Sequence, residues 1–116
     1  MDQRPRLRPV EIFPLKQREK TLLYLRDPQH FSQSVAISPV AYFILSHLDG
    51  RHSLIDIQEA YSRRFGDILF SEDLKKLLDL LDQHYYLYNE RFLARQRKII
   101  EFRLVFIRKV RVVNTQ

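Results

Sequence analysis

Three helix-start signals follow one another between residues 38 and 84, and they constrain the fold more than any other feature of the chain. At Ser38-Pro39 the serine hydroxyl can accept a hydrogen bond from a free backbone amide in the first helical turn. The proline that follows has no amide hydrogen, so it leaves no donor unsatisfied at the helix start. Ser53-Leu54-Ile55-Asp56 has the form of a capping box. Ser71 precedes two acids that suit the positive end of a helix dipole. The sequence therefore predicts helices over residues 39–49, 53–66 and 71–84.

The first third of the chain favours short strands. Residues 10–15 and 21–26 have β-type composition with a polar run between them, which indicates a hairpin, and residues 34–37 form a third short extended segment. Strands followed by three capped helices predict an α+β fold, specifically a small winged-helix-like domain over residues 9–90.

The two ends of the chain lie outside this predicted domain. Residues 1–8 are interpreted as a basic N-terminal arm. Asn89 can cap a fourth helix, predicted over residues 91–103, whose apolar stripe is thin. Residues 104–116 mix β-branched and basic side chains without a turn signal, which predicts an extended or disordered basic tail.

Length and composition exclude several classes of protein. A chain of 116 residues with 45% hydrophobic residues predicts one domain that buries roughly two-thirds of the surface of the unfolded chain. The absence of cysteine excludes disulfides, thiol nucleophiles and cysteine-based zinc sites. No apolar run approaches the ~18 residues that span a bilayer, and no secretion signal is recognisable. We therefore expect no membrane association and a cytoplasmic location.

The charge is distributed unevenly. The net charge is +6, but residues 21–90 carry six basic and ten acidic side chains, whereas residues 91–116 carry eight basic and one acidic. The third predicted helix, which would enter the major groove in a helix-turn-helix protein, carries four acids and two lysines. Because an acidic helix is repelled by phosphates, specific DNA binding is not expected. The basic ends leave weak, salt-sensitive nucleic-acid contact as an alternative.

No arrangement of residues indicates catalysis. The four histidines (His30, His47, His52 and His84) lack the spacing of a metal site, although His47 and His52 flank the Gly50 turn and could approach each other. Asp79 and Asp82 share a helix face without a nearby nucleophile, which is typical of a solvated surface. The tyrosines at 85, 86 and 88 are interpreted as a small satellite of the core. We predict no enzymatic activity, no metal and no cofactor.

Residues 43–57, which read FILSHLDGRHSLIDI, resemble the helix, Asp-Gly turn, helix signature of the PqqD-like family. Members of that family are small winged-helix domains, also called RiPP recognition elements, that bind precursor peptides and present them to modifying enzymes. In this sequence Gly50 ends one helix and Ser53 caps the next, so the signature is more specific for the fold than for the function.

A wider similarity covers about residues 4–103. This part of the chain resembles the N-terminal domain that precedes the catalytic domain of some bacterial Memo-like proteins. Those proteins belong to a system that includes a radical SAM enzyme. The matching segments are PRLRP (5–9), LRDP (25–28), DIQ (56–58), RRFG (63–66) and RF (91–92). The resemblance implies an accessory recognition domain beside an enzyme. Residues 104–116 do not resemble the start of the Memo-like domain, so no metal or redox chemistry is carried over.

The resemblance also implies a site. In recognition elements of this type the peptide adds as a strand beside the third strand and lies against the third helix. Here these elements contribute Ser34, Val35, Ala36 and Ile37 from the strand, and Lys75, Leu78, Asp79 and Asp82 from the helix. The implied partner is a peptide or protein, with a Memo-like or radical SAM enzyme as candidate. A structural or regulatory appendage of an absent enzyme remains an alternative, and an exposed edge strand is compatible with a homodimer.

Overall fold

The computed structural model describes the backbone of residues 3–114 and the side chains of residues 3–105. In this part of the chain a three-stranded antiparallel sheet is followed by four helices, which confirms the predicted α+β class. The strands are β1 (Glu11–Gln17), β2 (Lys20–Arg26) and β3 (Val35–Ile37). The helices are α1 (Pro39–Leu45), α2 (Leu54–Phe65), α3 (Ser71–Gln83) and α4 (Glu90–Asn114).

The sheet has the order β1-β2-β3, so β3 is an edge strand. The predicted hairpin forms between β1 and β2, with Glu11 opposite Arg26 and Gln17 opposite Lys20. Arg18 adopts a left-handed conformation (φ 54°) in the tight turn. A shorter ladder joins β2 to β3, from Leu25 opposite Val35 to Leu23 opposite Ile37.

Two of the three predicted helix starts carry a side-chain cap, whereas α3 begins at Ser71 as predicted but follows Phe70 without a side-chain cap. The Ser38 hydroxyl accepts a hydrogen bond from the amide of Ala41 at 3.4 Å. The capping box at α2 is complete, since Ser53 and Asp56 each accept from the other's amide, at 3.1 and 3.0 Å. Asn89 caps α4 by accepting from the amide of Phe92 at 3.0 Å.

Helix α1 ends at Leu45 and not near Asp49 as predicted. The chain leaves the helix because residues 48–50 pair with the N-terminal segment. The amide of Leu7 donates to the carbonyl of Leu48 at 2.8 Å, and the amide of Gly50 donates to the carbonyl of Pro5 at 3.1 Å. These bonds require extended backbone where a helix would have continued.

The N-terminal segment over residues 5–8 is part of the folded body, although the sequence assigned it to an arm outside the domain. Besides its bonds to residues 48–50, it pairs with the link between α3 and α4. The amide of Arg8 donates to the carbonyl of Tyr86 at 2.9 Å, and the amide of Tyr88 donates to the carbonyl of Arg6 at 2.8 Å. The segment thus joins the end of α1 to the start of α4.

Helix α4 continues to Asn114, so the prediction of an extended or disordered tail is wrong for the backbone of residues 104–114. The predicted helix over residues 91–103 is correspondingly too short. No proline or glycine follows Gly66, and the sequence therefore contains no strong helix terminator in this region.

A single apolar core lies between the sheet and the helices. Leu25 of β2, Ile57 of α2, Leu81 of α3 and Tyr86 are completely buried, and Leu74 nearly so. Other members are Val35, Ile37, Ala41, Ile44, Leu45, Leu48, Leu69 and Leu87. Ile12 of β1 is partly buried against this core, and Phe92 of α4 is buried beside it against Phe31.

A buried ion pair lies next to this core. Arg8 and Asp27 are each 2% exposed. Nη2 of Arg8 donates to both carboxylate oxygens of Asp27, at 3.1 and 3.0 Å. The carboxylate also accepts from the amides of Gln29 and Phe31, both at 2.9 Å. These bonds replace the water that both charges lose on burial.

The guanidinium of Arg8 makes the remaining connections. Its Nη1 donates to the carbonyl of Tyr85 at 2.7 Å and to the hydroxyl of Ser32 at 3.2 Å. Its carbon lies 3.8 Å from the centroid of the Phe92 ring, within the range of a cation–π contact. One side chain therefore ties the N-terminal segment to the loop after β2, to the α3–α4 link and to α4.

Removing one partner of this pair is expected to be costly. Arg8→Ala leaves the Asp27 carboxylate buried without its countercharge, and we expect the free energy of unfolding to fall by about 3–5 kcal/mol. The control is Arg26→Ala, which breaks the half-exposed pair with Glu11 at 3.9 Å and should cost about 0–1 kcal/mol. Urea unfolding measures both, and equal losses would contradict the assigned importance of the buried pair.

The stability should also depend on pH through Asp27. Burial raises the pKa of its carboxyl, but the hydrogen bonds from Gln29, Arg8 and Phe31 and the charge of Arg8 outweigh burial, so the pKa lies below its ordinary value. The ionised Asp27 carboxylate stabilises the folded state fully above the pKa of an unfolded aspartate, about 3.9. This stabilisation is lost as the pH falls through the lower pKa that Asp27 has in the folded protein.

The variant Asp27→Asn separates this effect from other acid titrations. The difference in unfolding free energy between the wild type and this variant should be constant near neutral pH and should shrink in acid. Urea unfolding at a series of pH values between about 7 and 3 measures it. A difference that does not change with pH would show that Asp27 has the same pKa in the folded and unfolded states.

Candidate functional site

Strand β3 has one free edge. Among the residues that the structure describes, it pairs with β2 alone. Val35 and Ile37 are buried and Ala36 between them is exposed, as expected for a strand with one face on the core. The opposite edge therefore leaves backbone donors and acceptors available to another extended chain.

An open groove of about 540 Å³ lies beside this strand. It runs between β3, α1, the loop that precedes α3, and α3 itself. The residues that line it are Ala36, Ile37, Ser38, Val40, Ala41, Ile44, Tyr61, Asp67, Ile68, Leu69, Phe70, Asp73, Leu77 and Leu80.

The lining of the groove combines an apolar surface with negative charge. Ile68 and Phe70 are mostly exposed although both are large and apolar, and the half-buried Leu77 is also part of the lining. The side chains of Asp67 and Asp73 are exposed in the same lining. An apolar groove that leaves large side chains in water is typical of a binding surface, and the two carboxylates favour a partner with positive charge.

Two of the four strand residues of the predicted site line the groove. Ala36 and Ile37 line the groove, Val35 packs in the core, and Ser34 is exposed immediately before β3.

The four predicted helix residues lie elsewhere. Lys75 and Asp79 are exposed outside the groove lining, and Leu78 packs against the core. Asp82 accepts a hydrogen bond from the side-chain amide of Asn89 at 2.7 Å and so faces the start of α4. None of the four helix residues of the predicted site lines this groove, and their role in peptide binding stays a prediction.

The face that lines the groove carries Asp73, Leu77 and Leu80 instead. A helix turns about 100° per residue, so these residues lie about half a turn from residues 75, 79 and 82. The spacing of leucines identified the core-facing stripe of α3, but which side of that stripe meets β3 depends on how the helix is placed against the sheet. No signal in the sequence distinguishes the two sides.

Tyr86 holds β3 in place. Its hydroxyl lies 2.6 Å from the carbonyl of Gln33, two residues before the strand, and 3.2 Å from the carbonyl of Leu25 in β2. Burial raises the pKa of Tyr86 to about 12, so the hydroxyl remains a donor at neutral pH. The tyrosine cluster was interpreted as a satellite of the core, but Tyr86 belongs to the main core.

The histidines that flank the Gly50 turn do approach each other. The ring centroids of His47 and His52 lie 5.2 Å apart. Nδ1 of His52 lies 2.9 Å from Oδ1 of Asp49, and this bond, with the amide of Arg51, lowers the pKa of Asp49 to about 2. Within residues 3–105 no three side chains of His, Asp or Glu are grouped so that they could hold a metal ion.

None of the helices in the described part of the chain has the length and apolar character needed to cross a membrane. In particular, α4 is long but carries basic residues throughout.

One comparison with known proteins gives a relative. A MEMO1 family protein from Aquifex aeolicus (strain VF5) is 34% identical to this chain over 74 residues, which cover 64% of the chain. The same residues cover 20% of the relative, so the chain spans about a fifth of the length of that protein. No protein-family model matches the chain. No solved structure matches it either.

Loss of the Tyr86 hydroxyl should loosen β3. In Tyr86→Phe the carbonyls of Gln33 and Leu25 lose their donor, and we expect a loss of about 1–3 kcal/mol in unfolding free energy with faster amide exchange in residues 35–37. Tyr42→Phe removes an exposed hydroxyl and is the control, with an expected change below about 0.5 kcal/mol. Unchanged exchange in β3 of the Tyr86 variant would contradict the anchoring role.

Proposed function

We propose that this domain recognises a polypeptide segment and catalyses no reaction itself. The segment adds as a fourth strand to the free edge of β3 and places side chains in the adjoining groove. Main-chain hydrogen bonds supply part of the affinity, and the groove selects the sequence. The observation that carries the proposal is the position of an apolar groove directly beside an unpaired strand edge.

The chemistry of the groove indicates what the segment contains. An apolar side chain that becomes fully buried gains about 1.5–3 kcal/mol, and Ile68, Phe70 and Leu77 offer it a surface. Exposed Asp67 and Asp73 favour a lysine or arginine near that side chain, since opposite charges guide association and suppress wrong partners. We propose an extended segment with an apolar anchor flanked by basic residues.

The similarity to a MEMO1 family protein supports an accessory role. The 74 matching residues make up only a fifth of that relative, which leaves most of its length for other parts. We propose a domain of PqqD-like, winged-helix type that works beside a Memo-like enzyme, with a radical SAM enzyme of the same system as a further candidate partner. The activity of such an enzyme is not assigned to this chain.

Recognition of DNA through α3 is not favoured. The helix carries four acids and two lysines, and one of the four acids, Asp73, lies on the face that lines the groove. Phosphate groups would be repelled from that surface.

Peptides selected from a random display library test the proposal. We expect the selected sequences to be enriched in apolar residues next to lysine or arginine. On adding such a peptide to the labelled chain, chemical-shift changes should concentrate on Ala36, Ile37, Leu77 and Leu80. Binding should persist in moderate salt, because strand pairing and apolar burial depend little on ionic strength. Shift changes confined to the basic ends of the chain would contradict the proposal.

A matched pair of variants sharpens this test. Ile68→Ser removes an apolar side chain that lines the groove and is 66% exposed, and Ile55→Ser makes the same change on α2 at a site that is 64% exposed. We expect the first to weaken peptide binding about tenfold, which corresponds to about 1.4 kcal/mol, and the second to change it less than twofold. Similar losses in both variants would contradict a specific role for the groove.

A further inference from the structure

A second concave surface lies where α4 begins, away from the groove lining. It has a volume of about 320 Å³ and is lined by Tyr85, Arg91, Ala94, Arg95, Lys98 and Ile99. We propose that this basic pocket binds a doubly charged phosphate group through Arg91, Arg95 and Lys98. The proposal is independent of the proposed function, because none of these residues lines the groove beside β3.

The three cations share one face of α4. Arg91, Arg95 and Lys98 have the spacing i, i+4 and i+7, which brings side chains together over two turns of a helix. In residues 3–105 none of the three has a carboxylate within 4 Å. Arg91 also lies in the first turn, where the helix dipole disfavours positive charge. Because the three positive charges repel one another and no carboxylate offsets them, a bound anion would stabilise this surface.

Both guanidinium groups of the pocket lie over the Tyr85 ring, and that of Arg95 is also fixed by a hydrogen bond. Nε of Arg95 donates to the carbonyl of Phe31 at 3.0 Å, and the two Nη groups of Arg95 have no hydrogen bond within the described residues. The guanidinium carbon of Arg95 lies 4.5 Å from the centroid of the Tyr85 ring, and that of Arg91 lies 5.4 Å from it. Preorganised donors lose less freedom on binding than mobile surface side chains do.

The buried ion pair positions Tyr85. The residue has a left-handed backbone (φ 63°), which is uncommon for a bulky side chain. Its carbonyl accepts from Nη1 of Arg8 at 2.7 Å, and its amide donates to the carbonyl of Asp82 at 3.0 Å. Both backbone groups are therefore bonded to the folded body, and the ring is held beside the cations of α4.

The number of cations favours phosphate over other anions. A phosphate monoester carries about −1.5 to −2 charges at neutral pH and three acceptor oxygens, whereas a carboxylate carries one charge and two oxygens. Three cations can therefore balance the charge of a phosphate monoester and supply a donor to each of its three oxygens, whereas a carboxylate would leave positive charge unpaired. A nucleic-acid strand is less suited, because it needs aromatic faces free for base stacking and guanidinium groups already lie over the Tyr85 ring.

Titration of the labelled full chain with inorganic phosphate at constant ionic strength tests the proposal. We expect saturable chemical-shift changes at Tyr85 and at the side-chain N–H groups of Arg91 and Arg95. Acetate should bind at least fivefold more weakly. A second titration with glycerol 1-phosphate distinguishes the source of the group: tighter binding than inorganic phosphate assigns the pocket to an organic monoester, and equal binding assigns it to the free ion.

Charge-matched variants control for a general electrostatic effect. The double variant Arg91→Gln/Lys98→Gln should weaken phosphate binding at least tenfold, while Lys76→Gln/Arg97→Gln, which removes two exposed positive charges elsewhere, should change it less than twofold. Arg95 is left unchanged because it bonds to Phe31. Equal losses in both double variants, or shift changes that do not saturate, would overturn the proposal. Ile68→Ser should leave phosphate binding intact whether or not the groove binds a peptide.

Discussion

The structure depends on the buried contact between Arg8 and Asp27. Arg8 lies in the N-terminal segment and Asp27 directly after β2, yet each loses almost all contact with water. Their charges are tolerable inside the protein only because the amides of Gln29 and Phe31 and the carbonyl of Tyr85 complete the hydrogen bonding. Among the described residues no buried side-chain nitrogen or oxygen lacks a hydrogen-bond partner. The buried contact between Arg8 and Asp27 therefore forms only when the N-terminal segment, the loop after β2 and the α3–α4 link are in place together.

Both proposed binding surfaces derive their rigidity from this region. On one side, Tyr86 spans the core and bonds to the backbone before β3, which fixes the edge of the sheet beside the groove. On the other side, Arg8 holds the carbonyl of Tyr85, whose ring lies against the cations of α4. Two adjacent tyrosines thus connect the same buried contact to two separate parts of the surface. Loss of the ion pair is expected to affect both surfaces, whereas a surface substitution affects one.

The two surfaces differ in charge, and this difference is compatible with the proposed accessory role. The groove carries Asp67 and Asp73 beside apolar side chains, while the first turns of α4 carry Arg91, Arg95 and Lys98. A domain of this kind can hold a basic, apolar segment at one surface and an anionic group at another without competition between them. The similarity to part of a much longer MEMO1 family protein is compatible with such a role beside an enzyme.

The sequence by itself determined the order of strands and helices, because caps, turns and the alternation of apolar residues act over a few neighbouring positions. Ser38, Ser53 and Asn89 cap helices as their positions predict. Only the tertiary structure decided that Arg8 is buried and not part of a solvated arm, and that Leu77 and Leu80, not Asp79 and Asp82, line the groove. Each of these depends on partners distant in the chain, as the separation of 77 positions from Arg8 to Tyr85 illustrates. Local patterns carry no information about which distant groups will meet.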